Sequence, residues 1–486
     1  MNRTVYNIFY TVAYQILTIL IPFITTPYLS RILGADNIGI YSYTMSITQY
    51  FALIAMLGIS DHGNRSIAAV RDDKKNVSKR FWNIYIIQLI TSILSILVYV
   101  IACDIYLTEY YAISLLQIIY LISFIFDINW FFWGLEKFKI TVTRNFFIKI
   151  VSIILIFSFV KERSDLPQYV LIVSLSALVS NAILLFFIRK EIIWVKPCTK
   201  DILTNIKPCL TLFIPLVARS IFVFMDKILL GNLCPISQVG FYENAEKIIL
   251  APTSILTALG TVMLPKLSNL IYNKQFDTVK QYTQISMNYI MFLGCGFSFG
   301  VAAVAPIFAP IFLGAEFQPC GTIMQVMSFT ILPVGIANVL RTQCLIPRHC
   351  DFSYVISVGL GAVVNLIIDL LLIPNLGAVG ASIGWLAAEI VITIYQSIVA
   401  RKWLPVGQFY KENSVYFLNG LIMFYILWLL AGNRRPSILL LVILIIVGVT
   451  VYVGLFIFYI MTHKDSSGYK LIQEKIYNIK KKKVAK

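Results

Sequence analysis

The chain has 486 residues, of which 59% are hydrophobic and only 13% are charged, about half the charged fraction of an average soluble domain. This composition excludes an ordinary soluble protein. The formal net charge of +17 resides in short loops between apolar runs, which favours contact with an anionic membrane surface and argues against a nucleic-acid partner.

Apolar runs of about 20 residues, the length that a helix needs to cross a bilayer, recur along the whole chain. They predict an all-α integral membrane protein with about 14 transmembrane helices. The predicted spans, in chain order, are residues 6–29, 39–60, 82–102, 111–133, 145–160, 168–188, 209–231, 246–265, 284–306, 320–340, 352–374, 378–400, 414–431 and 438–461.

The loops between these spans alternate between high and low basic content. Most of the 40 Lys and Arg residues fall in the set of loops that lies on the same side as the N-terminus. Cytoplasmic loops carry the excess of Lys and Arg, so both termini are predicted to be cytoplasmic. The tail that ends in Lys480 to Lys483 is predicted to lie on the anionic inner leaflet.

Two parts of the chain resemble each other. Leu33-Gly34 precedes Gly39-Ile40-Tyr41-Ser42, Leu230-Gly231 precedes Gly240-Phe241-Tyr242-Glu243, and a weaker copy runs from Asn375 to Ala381. These segments predict two six-helix lobes related by an internal repeat, plus two C-terminal helices; chance similarity of glycine-containing turns is the alternative. The predicted domains are an N-terminal lobe at 1–200, a C-terminal lobe at 201–405, appended spans at 406–463 and a basic cytoplasmic tail at 464–486.

The sequence lacks the usual marks of an enzyme. It contains no Gly-rich phosphate loop ending in GK[ST] and no HExxH, and its eight cysteines form no CxxC pair. The predicted outer loops are all short, which leaves little room for a catalytic site. We therefore expect no catalytic residue, no metal and no cofactor, and favour a secondary transporter or flippase.

Ionisable residues inside spans are costly and are functional candidates. Arg219, Lys227 and Lys247 would suit an anionic substrate, above all a phosphate or diphosphate. Arg219 and Asp226 are seven residues apart and share a helix face, about 10 Å apart along the axis. The alternatives remain open: Arg219 pairs with an acid to join helices, and the two lysines extend to the outer surface.

Three buried acids are candidates for coupling to H⁺ or Na⁺, namely Asp127, Asp369 and Glu389. A carboxylate removed from water binds a proton more readily. Asn365 lies four residues before Asp369 on the same helix face and could complete an ion site or bridge two helices. Structural pairing with a basic residue is the alternative for each acid.

The aromatic run from Trp130 to Trp133 is predicted to lie at the membrane interface, where Trp is enriched. Stacking on sugar rings is a second possible role for it.

Several stretches of the chain resemble the O-antigen and capsular oligosaccharide flippases, which share a superfamily with the lipid II flippases and the multidrug and toxin extruders. They are Arg31-Ile32-Leu33-Gly34 through Gly39-Ile40-Tyr41, Gly63-Asn64-Arg65-Ser66-Ile67-Ala68, Asp127-Ile128-Asn129-Trp130-Phe131-Phe132-Trp133-Gly134-Leu135-Glu136, and Met225-Asp226-Lys227-Ile228 through Val239-Gly240-Phe241-Tyr242-Glu243-Asn244-Ala245-Glu246-Lys247. The resemblance extends over essentially the whole chain.

This resemblance implies transfer of undecaprenyl-diphosphate-linked sugar repeat units to the outer leaflet of a bacterial or archaeal cytoplasmic membrane by alternating access. It implies membrane lipids and a lipid-linked glycan as partners, with polysaccharide polymerase machinery as a further candidate. Family members use cavity cations for the anionic substrate, and Arg219 is the position matched to that role. The full substrate-binding set is Arg219, Lys227, Lys247, Asp226 and Arg65. Family motifs leave the coupling ion open between H⁺ and Na⁺.

Two other functions stay open. A multidrug or cation antiporter of the same fold would be expected to have a cavity dominated by carboxylates, whereas here cations and acids are mixed. A membrane-embedded glycan polymerase or ligase would need a long outer loop, which the predicted topology lacks.

Overall fold

The computed structural model describes residues 3–432 and 434–462, with side chains for 21–214, 216–217, 220, 223–432 and 434–462. Within these residues all regular structure is helical. The predicted basic tail, 464–486, lies outside the described residues.

Sixteen α-helices follow one another along the described chain. They are α1 Arg3–Met56, α2 Ile59–Ala68, α3 Lys74–Tyr106, α4 Tyr111–Ile125, α5 Asn129–Gly134, α6 Phe138–Phe159, α7 Leu166–Ile188, α8 Thr199–Leu233, α9 Ser237–Tyr272, α10 Phe276–Leu313, α11 Cys320–Ser328, α12 Ile331–Leu340, α13 Asp351–Leu376, α14 Ala378–Ala400, α15 Val406–Ala431 and α16 Ile438–Thr462.

The helices agree with the predicted membrane fold. Twelve segments of the described chain are long and apolar enough to cross a bilayer. One of them, Ile21–Ala68, contains part of the first predicted span and all of the second. The predicted span 209–231 falls on α8, where several side chains lie outside the described residues. All 14 predicted spans therefore fall on helices, and the prediction of an all-α, multi-pass membrane protein is confirmed.

The first two predicted spans are not separated by a loop. They form two helices that meet at a kink at Gly34, where φ is 77° and ψ is 175°, and that are numbered together as α1. A side chain would disfavour this backbone conformation, and glycine adopts it without that penalty. Gly377, with φ of 55°, serves the same purpose in the one-residue turn between α13 and α14. At both positions a single glycine therefore takes the place of a longer connecting loop.

The chain divides into two compact units, Met1–Glu243 and Asn244–Lys486. In the first unit, α1 packs on α3, α4, α6 and α8. In the second unit, α10 packs on α11, α12 and α15, and α13 packs along α14. Helix α8 therefore belongs with the first unit, and the lobe boundaries predicted at 200 and 405 remain a prediction.

The predicted interfacial position of the aromatic run is wrong for three of its four residues. Trp130, Phe131 and Phe132 are fully buried in the core of the first unit, and only Trp133 is exposed. The Trp130 ring lies so close to Gly63 of α2 that a Cβ there would come within 2.4 Å of it. The Trp130 indole N–H donates to Gln88 Oε1 at 2.9 Å. This run therefore joins α2, α3 and α5 rather than facing lipid.

Candidate functional site

Helices α1, α8 and α9 approach each other closely in the first unit because glycines line their contact. A Cβ at Gly39 would lie 2.0 Å from the Ile236 carbonyl oxygen, and one at Gly240 would lie 2.1 Å from that of Ala35. These neighbours are backbone atoms, which cannot rotate away. Interfaces between membrane helices are enriched in small residues for this reason.

Buried polar groups lie beside these glycines. Ser42 Oγ of α1 donates to Glu243 Oε2 of α9 at 2.7 Å. The same oxygen lies 2.5 Å from Lys227 Nζ of α8, and both charged side chains are only 11% exposed. Tyr43 OH donates to Asn232 Oδ1 at 2.8 Å. We call Ser42, Lys227 and Glu243 the carboxylate network; Asn232 is exposed, and its hydrogen bond with Tyr43 is a separate contact between α1 and α8.

The network joins three helices through one acid. Taking a carboxylate and an ammonium out of water is expensive, and their attraction offsets this only when the geometry and the additional hydrogen bonds are good. Glu243 meets both conditions, because a hydroxyl and an ammonium group converge on a single oxygen. The arrangement joins α1 to α8 and to the first two turns of α9.

The predicted substrate-binding residues fall in different environments. Arg219 lies on α8, but its side chain is outside the described residues. Lys227 is in the carboxylate network, so its charge is paired with Glu243. Asp226 is buried and accepts a hydrogen bond from Tyr242 OH at 2.5 Å.

The other two candidates lie elsewhere. Lys247 is partly buried on α9, in the part of that helix that belongs to the second unit. Arg65 is exposed on α2, a helix that packs on α3, α5 and α8. The substrate-binding role of all five residues stays a prediction.

Glu243 was missed as a candidate, although the sequence contains a signal for it. In the repeat, Gly39-Ile40-Tyr41-Ser42 aligns with Gly240-Phe241-Tyr242-Glu243, so Ser42 and Glu243 are equivalent positions. These equivalent residues bond to each other, and a Cβ at Gly240 would lie 3.1 Å from the Gly39 nitrogen. Equivalent residues meet when two similar elements pack about a twofold axis. The contact supports the predicted repeat, which itself remains a prediction.

Asp127 has a local structural task. Its Oδ1 accepts the backbone N–H of Asn129 at 3.1 Å and the side-chain amide of Asn129 at 2.6 Å. This is the turn that Asp side chains commonly form with the backbone two residues ahead, and here it leads into α5. Arg144 Nη2 donates to Asn129 Oδ1 at 3.1 Å and to Asn145 Oδ1 at 2.7 Å. The geometry favours a structural role for Asp127, carried by Asn129 and not by the predicted pairing with a basic residue.

Asp369 and Asn365 form the second candidate site, in the second unit. Both are buried on α13, and both face Gly384 of α14. A Cβ at Gly384 would lie 2.1 Å from Asp369 Oδ1 and 3.0 Å from Asn365 Nδ2. The predicted shared face is therefore confirmed.

Gly380 and Gly384 form a GxxxG pattern on α14, which permits the close packing of α13. Glu389, further along α14, is only partly buried. Among the described residues no group of His, Cys, Asp and Glu side chains has the arrangement of a metal site. The ion-coupling roles of Asp127, Asp369, Glu389 and Asn365 stay predictions.

Sequence comparisons identify related proteins. A family model described as "Polysaccharide biosynthesis protein" matches residues 4–271. A candidate O-antigen transporter of Shigella dysenteriae is 26% identical over 382 residues, which cover 77% of this chain and 94% of the relative. One from Escherichia coli K12 is 25% identical over 407 residues, covering 81% of this chain and 96% of the relative.

Solved structures show the same fold. The lipid II flippase MurJ in an inward closed conformation superposes with a TM-score of 0.73 at 17% identity, covering 94% of this chain and 99% of MurJ. An inward-facing multidrug resistance transporter of the MATE family superposes with a TM-score of 0.56 at 12% identity, covering 85% of this chain and 100% of the other.

Proposed function

Because the chain belongs to the polysaccharide biosynthesis protein family, we propose that it is a flippase that moves polyprenyl-diphosphate-linked oligosaccharide units from the inner to the outer leaflet. Two O-antigen transporter relatives that match most of the chain support this class of substrate. The single observation that carries the proposed mechanism is the buried carboxylate network. It places charged side chains at a contact between helices that apolar side chains alone could form.

The predicted topology assigns the network to the outer end of the transport path. Residues 33–43 and 230–243 lie at or beside the predicted outer turns. In this proposal the contact of α1 with α8 and α9 closes the outer end while the headgroup enters from the inner leaflet. Rocking of the predicted lobes breaks the contact and opens the outer end, so the glycan and its phosphates never cross bare hydrocarbon.

Cations on α8 and α9 would attract the diphosphate. An arginine binds phosphate as a planar fork and a lysine as a point charge. Arg219 is the residue that we assign to this role, with Lys227 released from Glu243 when the network opens. The polyprenyl tail stays in the lipid, and no covalent bond changes.

The carboxylate of Asp369, packed against Gly384 beside Asn365, is the candidate that we favour for coupling to H⁺ or Na⁺. Loading or releasing a cation at this site changes the charge between two closely packed helices. That change is a means to shift α13 relative to α14. Such a shift would favour either the state that is open to the inner leaflet or the state that is open to the outer leaflet.

Reconstitution into liposomes tests the function. We expect the protein to move a fluorescent polyprenyl-diphosphate oligosaccharide across the bilayer, Arg219→Ala to abolish this movement, and cationic dyes to remain inside. The matched control is Lys402→Ala, which removes an exposed cation beyond α14 and should leave transport unchanged. Dye efflux without movement of the glycolipid would instead identify a multidrug antiporter.

A further inference from the structure

The second unit contains an apolar cavity of about 570 Å³. It lies between α10, α12, α14 and α15. None of its lining residues belongs to the carboxylate network. Cavities of 300–1,000 Å³ are the size of typical small-molecule sites. Phe299 closes its inner wall, with its ring 5.0 Å from that of Phe417 and 5.4 Å from that of Phe329.

The cavity opens toward the surface of the unit along α14. Three of its lining side chains, Ile390, Ile394 and Ile398, are spaced by one helical turn and are exposed to 42%, 54% and 56%. The apolar side chains of this stripe suit contact with lipid acyl chains. A lipid chain can therefore enter the cavity sideways, without passing through water.

One end of the cavity is polar and positively charged. Arg401, directly after α14, lines it together with Ser397 and Tyr410. The two hydroxyls share a hydrogen bond of 2.6 Å. Among the described residues no carboxylate pairs with Arg401. An exposed lysine, Lys402, adds to the positive charge at this end.

We propose that this cavity binds an anionic phospholipid of the surrounding membrane, with one acyl chain against Phe299 and the phosphate on Arg401, Ser397 and Tyr410. Charge complementarity selects the anionic headgroup, because the guanidinium is the single cation of the lining and pairs with one phosphodiester charge, whereas the cation of a zwitterionic headgroup would be repelled by Arg401 and the neighbouring Lys402. A diphosphate would leave one negative charge without a cation in the lining.

The location also favours a resident lipid over the transported one. All four helices of the cavity belong to the second unit, so the site is complete within one unit. By the predicted topology Arg401 faces the cytoplasmic leaflet, where anionic lipids are concentrated. The inference goes beyond the proposed function and stands without it.

Lipid binding to the purified full-length protein tests this site. The protein in mild detergent is titrated with phosphatidylglycerol and, separately, with phosphatidylcholine, and bound lipid is counted by native mass spectrometry. We expect one tightly bound phosphatidylglycerol, and an affinity about tenfold lower in Arg401→Gln, since hydrogen bonds to charged groups are the strong ones. Leu386→Trp, which fills the cavity, should weaken binding of both lipids.

Lys402→Gln is the matched control, because it removes a neighbouring charge that does not line the cavity. Equal losses in Arg401→Gln and Lys402→Gln would overturn the proposal in favour of diffuse surface charge. Unchanged binding in both Arg401→Gln and Leu386→Trp would exclude the cavity. Displacement of phosphatidylglycerol by stoichiometric polyprenyl diphosphate would assign the cavity to the tail of the transported lipid instead.

Discussion

At the scale of single residues, the central feature is an acid that sequence reasoning overlooked. Lys227 was predicted to meet a phosphate, and in the structure it meets Glu243. Position in a span was enough to identify Lys227 as unusual. Its partner could not be predicted, because Glu243 sits beside a predicted turn, where a charged residue needs no explanation.

Glu243→Gln should destabilise the protein by roughly 3 kcal/mol, since breaking a buried ion pair leaves an uncompensated charge. Adding Lys227→Met to this variant should recover part of the loss. Thermal unfolding of the four proteins of this double-mutant cycle measures the coupling. Strictly additive effects of the two substitutions would show that the pair does not stabilise the fold.

Asp369 and Asp127 are both acids in predicted spans, but the structure places them in different surroundings. Asp369→Asn removes a charge from a buried face shared with Asn365 and should abolish the dependence of transport on a H⁺ or Na⁺ gradient while the protein stays folded. Asp127→Asn should lower thermal stability and leave gradient dependence intact, because Asp127 holds the turn before α5. Gradient-dependent transport by Asp369→Asn would contradict the assigned coupling role.

At the scale of helices, the positions and order of the apolar helices could be predicted, because hydropathy reports on which segments can lie in lipid. The close approaches could not, since they depend on which glycine faces which neighbour. Gly63 against Trp130 is an example. The aromatic run was expected at the interface because Trp is enriched there. Instead, Gly63 on the neighbouring helix α2 leaves the space in which the Trp130 ring is buried. The GxxxG pattern of α14 was visible in the sequence, but its partner, Asp369, was not.

Gly384→Ala should disturb the packing of α13 on α14, because the new Cβ would lie 2.1 Å from Asp369 Oδ1. Inserting a methyl group into a well-packed contact costs about 1–3 kcal/mol. The matched control is Gly359→Ala on α13, where a Cβ would meet nothing within 4 Å and alanine favours the helix. Thermal unfolding compares the two. Similar stabilities would mean that the α13–α14 contact tolerates the added methyl group.

At the scale of the whole molecule, the membrane class, the family and the fold agree with expectations drawn from hydropathy and short motifs. The alternation of basic loops predicts only the orientation of the termini, because positive charge is retained on the cytoplasmic side, and that orientation stays a prediction. The predicted lobes, by contrast, rest on weak similarity, and the contact between Ser42 and Glu243 is the strongest physical argument for them. The proposed mechanism requires that this contact opens.

Cross-linking of that contact tests the mechanism most directly. Ser42→Cys and Glu243→Cys are combined in a background without the eight native cysteines and joined by a short cross-linker containing a reducible bond, in proteoliposomes that carry the fluorescent glycolipid. A control pair, Asn145→Cys with Ser180→Cys, joins α6 and α7, where the two native side chains already bond at 3.0 Å. We expect the first cross-link to stop translocation until a reductant is added, and the control cross-link to leave it unchanged. Translocation at the full rate with α1 and α9 cross-linked would contradict the account.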